Sequence, residues 1–316
     1  MDIVYAILGL IILVLAGDML VRGAVNVSLR LGVPALIVSL TIVAVGTSAP
    51  ELLVSVEAVL DGVPGIAVGN VVGSNVANVL LVLGLPAMLV GFDLSRNETR
   101  SNYYQMIAGT ALFAGLAYLG PILWFHGLLL LAVYAGFMLH AILTARNQRR
   151  ASVAQLDPVL ELDEVDLGAP WWKIMGFLFL GVVGLPLGAS ILVESSTAVA
   201  RQFGVSETVI GLTLVALGTS LPELATTLAA ALRKEADVAL GNVLGSNMAN
   251  LLGIVGAASL FGAVPVAPAI VHYDMLVMIG AALILGPFIV LRSNITRLWG
   301  VIFTALYLAY IASVLS

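Results

Sequence analysis

Residues 46–51 read GTSAPE, and residues 218–223 read GTSLPE. Each copy interrupts a long apolar stretch with a glutamate, two hydroxyls and a proline. A charged side chain at the centre of a bilayer costs on the order of 2.5–3.5 kcal/mol on insertion scales, so an acid in such a place needs compensation. The likeness extends well beyond the six residues. At a constant offset of 172, residues 40–84 and 212–256 agree at 23 of 45 positions, including all of GTSxPEL and all of GNVxGSNxAN.

The surrounding composition is that of a membrane protein. Over 316 residues, 61% are hydrophobic and 10% charged, with a mean hydropathy of +1.11. Soluble domains carry roughly 25% charged residues. Long runs of Leu, Val, Ile, Ala and Gly with little alternation predict helical spans of about 20 residues and not barrel strands. Because the chain has no cysteine, disulfides, thiolate metal sites and cysteine nucleophiles are excluded. The start, MDIVYAILGL, carries Asp2 where a secretory signal would carry a cation, and is read as the first span.

Apolar runs place spans at about 3–25, 34–60, 66–90, 103–119, 122–144, 172–200, 206–232, 236–261, 270–290 and 297–315. The expected fold is an all-α membrane protein of ten transmembrane helices. Residues 1–145 form a first five-helix repeat with its motif at about 37–84, residues 146–171 a hydrophilic linker, and residues 172–316 a second repeat with its motif at about 209–256.

Orientation follows from the cations. With both termini outside, Arg22, Arg30, Arg96, Arg100, Arg146, Arg149, Arg150, Lys173, Arg233, Lys234, Arg292 and Arg297 all fall on the cytoplasmic side, and Arg201 alone falls outside. That bias obeys the positive-inside rule and puts the linker in the cytoplasm of a cell (inner or plasma) membrane. An odd number of spans per half makes the two copies run in opposite directions. This is the inverted-topology plan of secondary transporters, whose sites lie near the midplane between the halves.

The repeated residues suit a cation. No lysine or arginine lies within either motif, which leaves a bound ion to compensate Glu51 and Glu223. Thr47 and Thr219 precede these acids by four residues, on the same helix face. Two bidentate carboxylates and two threonine oxygens supply about six oxygens, the lower end of what Ca2+ takes, with no nitrogen or sulfur donor to favour zinc or copper. Pro50 and Pro222, placed within helices, are expected to free carbonyls near Gly46 and Gly218, tolerable only beside a polar cavity. In the next spans Asn70, Ser74 and Asn78, and likewise Asn242, Ser246 and Asn250, recur every four residues as one polar stripe of neutral oxygens suited to Na+.

The segments GTSAPELLVS with GNVVGSNVANVLL, and GTSLPELATT with GNVLGSNMANLL, resemble the two alpha-repeats of the calcium/cation antiporter superfamily, closest to the prokaryotic sodium/calcium exchangers. The resemblance covers the whole chain in span number and linker position. It implies ten helices, an ion cluster built from the second, third, seventh and eighth spans, and Ca2+ extrusion driven by Na+ influx. It carries Ser74, Ser246, Asn78 and Asn250 into that cluster, assigns Na+ to the carbonyls of Ala44 and Ala216, places Ser48 and Ser220 in the site lining, and implies that the first and sixth spans slide across the rest. Asn70 and Asn242 are assigned less directly. Potassium-dependent members place an acid at one of the positions matching Asn78 and Asn250, and proton-coupled relatives place one where Gly73 and Gly245 stand. Both departures favour Na+ coupling.

The alternative readings are a Ca2+/H+, or other divalent cation/H+, antiporter and, less favoured, a cation channel. Gly69 with Gly73, and Gly241 with Gly245, also fit a small-xxx-small helix-packing motif, under which the nearby polar residues would be interhelical glue. Asp18 and Arg22 read as a structural i,i+4 pair, His126, His140 and His272 as scattered, and Glu161, Asp163, Glu164 and Asp166 as a solvated linker. Glu57, Asp61 and Glu194 are weaker candidates for an access path. No motif for an enzyme, a cofactor, a nucleic-acid partner or an obligate protein partner is present; the expected partners are Ca2+, Na+ and the bilayer.

Overall fold

The fold is that of a computed structural model, which describes residues 2–95, 99–152, 170–204 and 216–315. Eleven helices organise them: α1 (Asp2–Leu31), α2 (Ala35–Thr47), α3 (Ala49–Leu60), α4 (Gly65–Val90), α5 (Arg100–Leu119), α6 (Trp124–Ser152), α7 (Trp171–Gln202), α8 (Leu221–Leu232), α9 (Ala236–Ala258), α10 (Ile270–Val290) and α11 (Arg297–Leu315). Among the described residues the only β-type pairing is two isolated bridges. An all-helical solution is what hydrocarbon demands, since each helix satisfies its own backbone.

Seven of these helices are long and apolar enough to cross a membrane, and α2 with α3 makes an eighth, bent by 45°. The span expected at 103–119 is helical as α5, but its first turns carry Arg100, Asn102 and Gln105 and dilute its hydropathy. The span expected at 206–232 is described only in its second part, where α8 is 12 residues long; residues 205–215 lie outside the described residues. Helix α6 continues to Ser152, beyond the expected linker boundary, through a stretch rich in Ala, Arg and Gln that favours helix. The acidic cluster 161–166 lies outside the described residues.

The two longest helices, α1 and α7, run antiparallel side by side. Their backbones approach closely at glycines: a Cβ on Gly181 would lie 2.6 Å from the Leu20 Cβ, and one on Gly188 2.9 Å from the Leu13 nitrogen. Small residues at such crossings replace the hydrophobic effect, absent in lipid, with dispersion contact. The ends are also tied. Gln202 donates to Asp2 across 2.7 Å, and the Arg30 guanidinium sits 5.1 Å from the centre of the Trp171 ring.

Helices α4 and α9 carry the GNVxGSNxAN segments and lie at the centre. Burial inside the protein reaches 72% over the apolar window of α4 and 94% over that of α9, against 28% for α1 and 17% for α11. Polar side chains on these two helices therefore face protein and not lipid, the only arrangement that tolerates them at depth.

Two loop contacts tie the halves together. Phe92 bridges Ile295, and Ile122 bridges Val264, both antiparallel. Phe92 follows α4 and precedes α5, while Ile122 follows α5, so the bridges lie at opposite ends of that 20-residue helix, about 30 Å apart along its axis. Adding 172 to Phe92 gives Val264, and adding it to Ile122 falls one residue short of Ile295.

Candidate functional site

The site begins at two breaks. Helix α2 stops at Thr47, Ser48 leaves helical geometry (φ −84°, ψ 8°), and α3 starts at Ala49 with Pro50 in its first turn. The second copy repeats this at Ser220 (φ −87°, ψ 0°), with Pro222 in the first turn of α8. The expectation of prolines inside continuous helices is corrected: each proline opens a new helix, where its missing N–H has no partner to lose and its fixed φ is already helical. As a consequence, Glu51 and Glu223 fall in first turns, at the positive end of the helix dipole, which favours a carboxylate.

The backbone at the two breaks differs. Ser48 N–H bonds the Ala44 carbonyl at 3.0 Å, and the Thr47 hydroxyl approaches the same carbonyl at 3.3 Å. Ser220 N–H bonds the Leu217 carbonyl at 3.1 Å, a tighter turn. The Ala44 carbonyl assigned to Na+ by resemblance thus already accepts two internal bonds.

Both glutamates are buried, each 1% exposed. The hydroxyls around Glu223 come from both copies. Ser48 donates to Glu223 Oε1 at 3.1 Å, the Thr47 hydroxyl also reaches Glu223, and Ser246 on α9 approaches the same Oε1 at 3.4 Å. Because the helix breaks between Thr47 and Glu51, their four-residue spacing no longer stacks them along one continuous face.

Asparagines bracket this centre. Asn242 Nδ2 bonds the Glu223 carbonyl at 3.2 Å and the Thr227 hydroxyl at 3.0 Å, while its Oδ1 receives the Thr47 hydroxyl at 3.3 Å. Asn70 does the same in the first copy: Nδ2 lies 3.4 Å from the Glu51 carbonyl and 3.3 Å from the Ser55 hydroxyl, and Oδ1 lies 3.5 Å from the Thr219 hydroxyl. These two residues, weakly assigned from sequence, staple each α3 or α8 to its α4 or α9 and orient the threonine of the other copy. Asn75 and Asn247, absent from the sequence reading, occupy the interface between α4 and α9 beside Asn78 and Asn250. The only signal for them was the duplicated SN pair itself, since they lie off the four-residue stripe.

Five buried oxygens here have no hydrogen-bond partner: Glu51 Oε2, Glu223 Oε2, Asn78 Oδ1, Asn250 Oδ1 and Ser220 Oγ. Leaving a buried acceptor unpaired costs about 1–3 kcal/mol, and more for a charged one. A concentration of such acceptors, two of them on carboxylates, is a place built for a cation. Among the described residues, no group of three or more His, Cys, Asp or Glu is clustered for metal binding. Two carboxylates with hydroxyl and amide oxygens around them are a donor chemistry that suits hard cations. Asn78 begins a widened helical turn and Asn250 lies within another, Ala249–Ile254; in the first, Leu83 N–H bonds the Asn78 carbonyl five residues back. Such turns are frequent at functional sites.

A cavity of about 430 Å³ is lined by Asn70, Gly73, Ser74, Thr219, Asp274 and Tyr310, among others. Asn70 and Thr219 are correspondingly half-buried, while their counterparts Asn242 and Thr47 are fully buried. The matching face of α9 is packed shut by α2: a Cβ on Gly241 would lie 2.7 Å from the Ser39 Cβ, and one on Gly245 2.6 Å from the Ala44 Cβ. Gly241 and Gly245 therefore serve helix packing, whereas nothing among the described residues lies within 4 Å of the Cβ positions of Gly69 and Gly73.

The profile of the sodium/calcium exchanger protein family matches residues 1–143 and 173–315. The chain belongs to the sodium/calcium exchanger family. It is 35% identical over 286 residues to a putative antiporter, CaxA, of Alkalimonas amylolytica, covering 89% of this chain and 88% of that one. Against the sodium/calcium exchanger MaX1 of Methanosarcina acetivorans the identity is 32% over an alignment of 335 positions, spanning 96% of both. In three dimensions the chain matches the sodium-calcium exchanger NCX_Mj with a TM-score of 0.84 at 31% identity, covering 99% of this chain and 98% of that one. As a family member it is a membrane transporter of the cation/calcium antiporter class.

Among the described residues, the remaining sequence candidates make no bond to the glutamate centre. Asp18 is bound by Arg22 at 2.9 Å and by Arg233 at 2.6 Å, which ties α1 to the end of α8 and makes it an interhelical brace. Glu57, Asp61 and Glu194 are exposed, and Glu194 accepts from Ser190 at 3.0 Å. His126 Nδ1 accepts the Leu123 N–H at 3.2 Å, a local turn contact. His140 and His272 are exposed.

Proposed function

We propose that this protein is a secondary active antiporter that exchanges Na+ for Ca2+ by alternating access at one midplane site. The observation that carries the reading is the set of five unpartnered buried oxygens around Glu51 and Glu223. Glu51, Glu223, Thr47 and Thr219 serve Ca2+ and Na+; Ser74, Ser246, Asn78, Asn250, Ser48, Ser220 and the carbonyls of Ala44 and Ala216 complete Na+ coordination and line the site. Pro50 and Pro222 set the helix breaks that bring the acids together.

Coupling follows from charge. Two ionised carboxylates without a cation carry about two negative charges that a low-dielectric core cannot occlude. The empty site therefore cannot cross, while a site loaded with Ca2+ or with Na+ can, and exchange results. Proton coupling is disfavoured because Gly73 and Gly245 stand where proton-coupled relatives place an acid. A channel is disfavoured because α2 closes the site on the Gly241–Gly245 side while the cavity reaches it from the other.

The architecture proposed for this cycle has ten spans in two inverted repeats, with residues 1–145 and 172–316 as the halves, both termini outside the cell membrane and the linker 146–171 in the cytoplasm. The reciprocal bridges Phe92–Ile295 and Ile122–Val264 at opposite ends of α5 support it, as do the asparagine bonds that recur under exchange of the two copies. Helices α1 and α7, closely packed on each other and free of ion ligands, are the pair that slides.

The deciding measurement is radiolabelled Ca2+ uptake into proteoliposomes. An outward-directed Na+ gradient should drive uptake, and K+ or proton gradients of equal size should not. Uptake that follows a pH gradient and ignores Na+ overturns the Na+ reading in favour of proton coupling.

A further inference from the structure

Four buried amides sit between α4 and α9, and only two of them, those of Asn78 and Asn250, border the unpartnered oxygens. Asn75 Nδ2 faces the Asn247 backbone carbonyl at 3.3 Å. A backbone carbonyl only accepts, so this contact fixes which end of the Asn75 amide is nitrogen. Its Oδ1 then points to Asn250 and receives Asn250 Nδ2 at 3.1 Å. With its N–H group engaged there, Asn250 turns Oδ1 the other way, where it has no partner.

The second chain runs in parallel. Asn247 Nδ2 faces the Met106 sulfur at 3.8 Å, a weak acceptor and never a donor. Its Oδ1 therefore faces Asn78 and receives Asn78 Nδ2 at 3.0 Å, again leaving Asn78 Oδ1 unpartnered. All four side chains are at most 3% exposed, so water does not compete for these bonds.

We infer that Asn75 and Asn247 are positioning residues that lock the amides of Asn78 and Asn250 with both carbonyl oxygens toward the cation and both NH2 groups away from it. The inference rests on the cation-site reading above. Without the lock either amide could turn by half a rotation and present a donor, which repels a cation, at no cost in shape. The lock is also crossed: Asn75 acts on Asn250 and Asn247 acts on Asn78, so each copy orients the ligand of the other.

Crossed double-mutant cycles test this on the purified full-length protein, with Na+ competition against bound 45Ca2+ as the readout. Asn75→Leu and Asn247→Leu remove the amide acceptor at similar volume, and each should raise the Na+ concentration needed for competition by about tenfold, the loss expected for one charge-assisted contact. Asn75→Leu should have no further effect once Asn250→Ala is present, and Asn247→Leu none once Asn78→Ala is present. The uncrossed pairs, 75 with 78 and 247 with 250, should add. A merely structural role predicts additivity in all four cycles and overturns the lock, as does coupling within the uncrossed pairs. If a leucine variant does not fold, Asn75→Ala and Asn247→Ala run the same cycles with the same criteria. A wild type that binds neither Ca2+ nor Na+ sinks the site reading and the lock with it; wild-type binding without crossed coupling sinks the lock alone.

Discussion

The hydroxyl of Ser48 donates to Glu223 Oε1 across 3.1 Å, joining the helix break of one copy to the carboxylate of the other, 175 residues away in the chain. The first copy's break therefore supports the second copy's acid, while the Ser220 hydroxyl makes no matching bond to Glu51. A movement of one break is felt directly at the other copy's acid.

Ser48→Ala should accordingly be coupled to Glu223 and independent of Glu51. Combined with Glu223→Gln, its effect on Ca2+ affinity should fall short of the sum of the single effects by about 1 kcal/mol, within the range for residues in contact. Combined with Glu51→Gln, the effects should add. Calorimetric Ca2+ titration of the four proteins decides it; equal coupling to both glutamates would remove the crossed arrangement.

Glu51→Gln and Glu223→Gln keep size and remove one central charge. The Coulomb term scales with ion charge, so Ca2+ should lose more affinity than Na+, with Ca2+ binding about ten- to a hundredfold weaker and exchange abolished. Ser74→Ala and Ser246→Ala remove neutral oxygens and should shift the Na+ dependence to higher concentration while Ca2+ binding survives. Near wild-type Ca2+ exchange in Glu51→Gln would refute the assignment.

Gly245→Ala should destabilise the protein and Gly73→Ala should not. The added methyl at 245 would stand 2.6 Å from the Ala44 Cβ and 2.8 Å from the Leu40 carbonyl oxygen, while nothing among the described residues lies within 4 Å at 73. Overpacking of this kind costs about 1–3 kcal/mol. Thermal unfolding in detergent, with both variants measured side by side, gives the comparison; equal midpoints would contradict the one-sided packing.

The absence of cysteine makes topology directly accessible. Single cysteines at Ser152 and at Val63, the latter 48% exposed in the loop after α3, should label from opposite sides, Ser152 from the cytoplasm. Position 63 is preferable to Gly62, whose φ of +76° strains any side chain. Labelling of both by one impermeant reagent on intact cells would contradict the inverted repeat.

What the sequence determined by itself was everything carried by local pattern. Apolar runs of membrane length specify the helices, and the bounds of α10 and α11 fall where the pattern places them. The offset of 172 pairs Glu51 with Glu223, and the cost of a buried acid with no cation in its motif points to an ion without any coordinates. The four-residue stripe likewise puts Asn70, Ser74 and Asn78 on one face, because helical periodicity is intrinsic to the backbone.

What only the tertiary structure decided depends on how helices cross. Thr47 and Ser48 turn to Glu223, and not to the nearby Glu51, because the break at Ser48 redirects the chain by 45° and the opposite copy lies where the hydroxyls then point. Asn75 and Asn247 sit one residue, about 100° of helix, off the visible stripe, so periodicity assigns them to another face; the contact of α4 with α9 brings that face into the site. Prolines read as kinks became helix starts, since nothing local says whether the preceding turn continues. The packing of α2 against Gly245 is likewise not readable from the motif, because it records which helix lies beside that face.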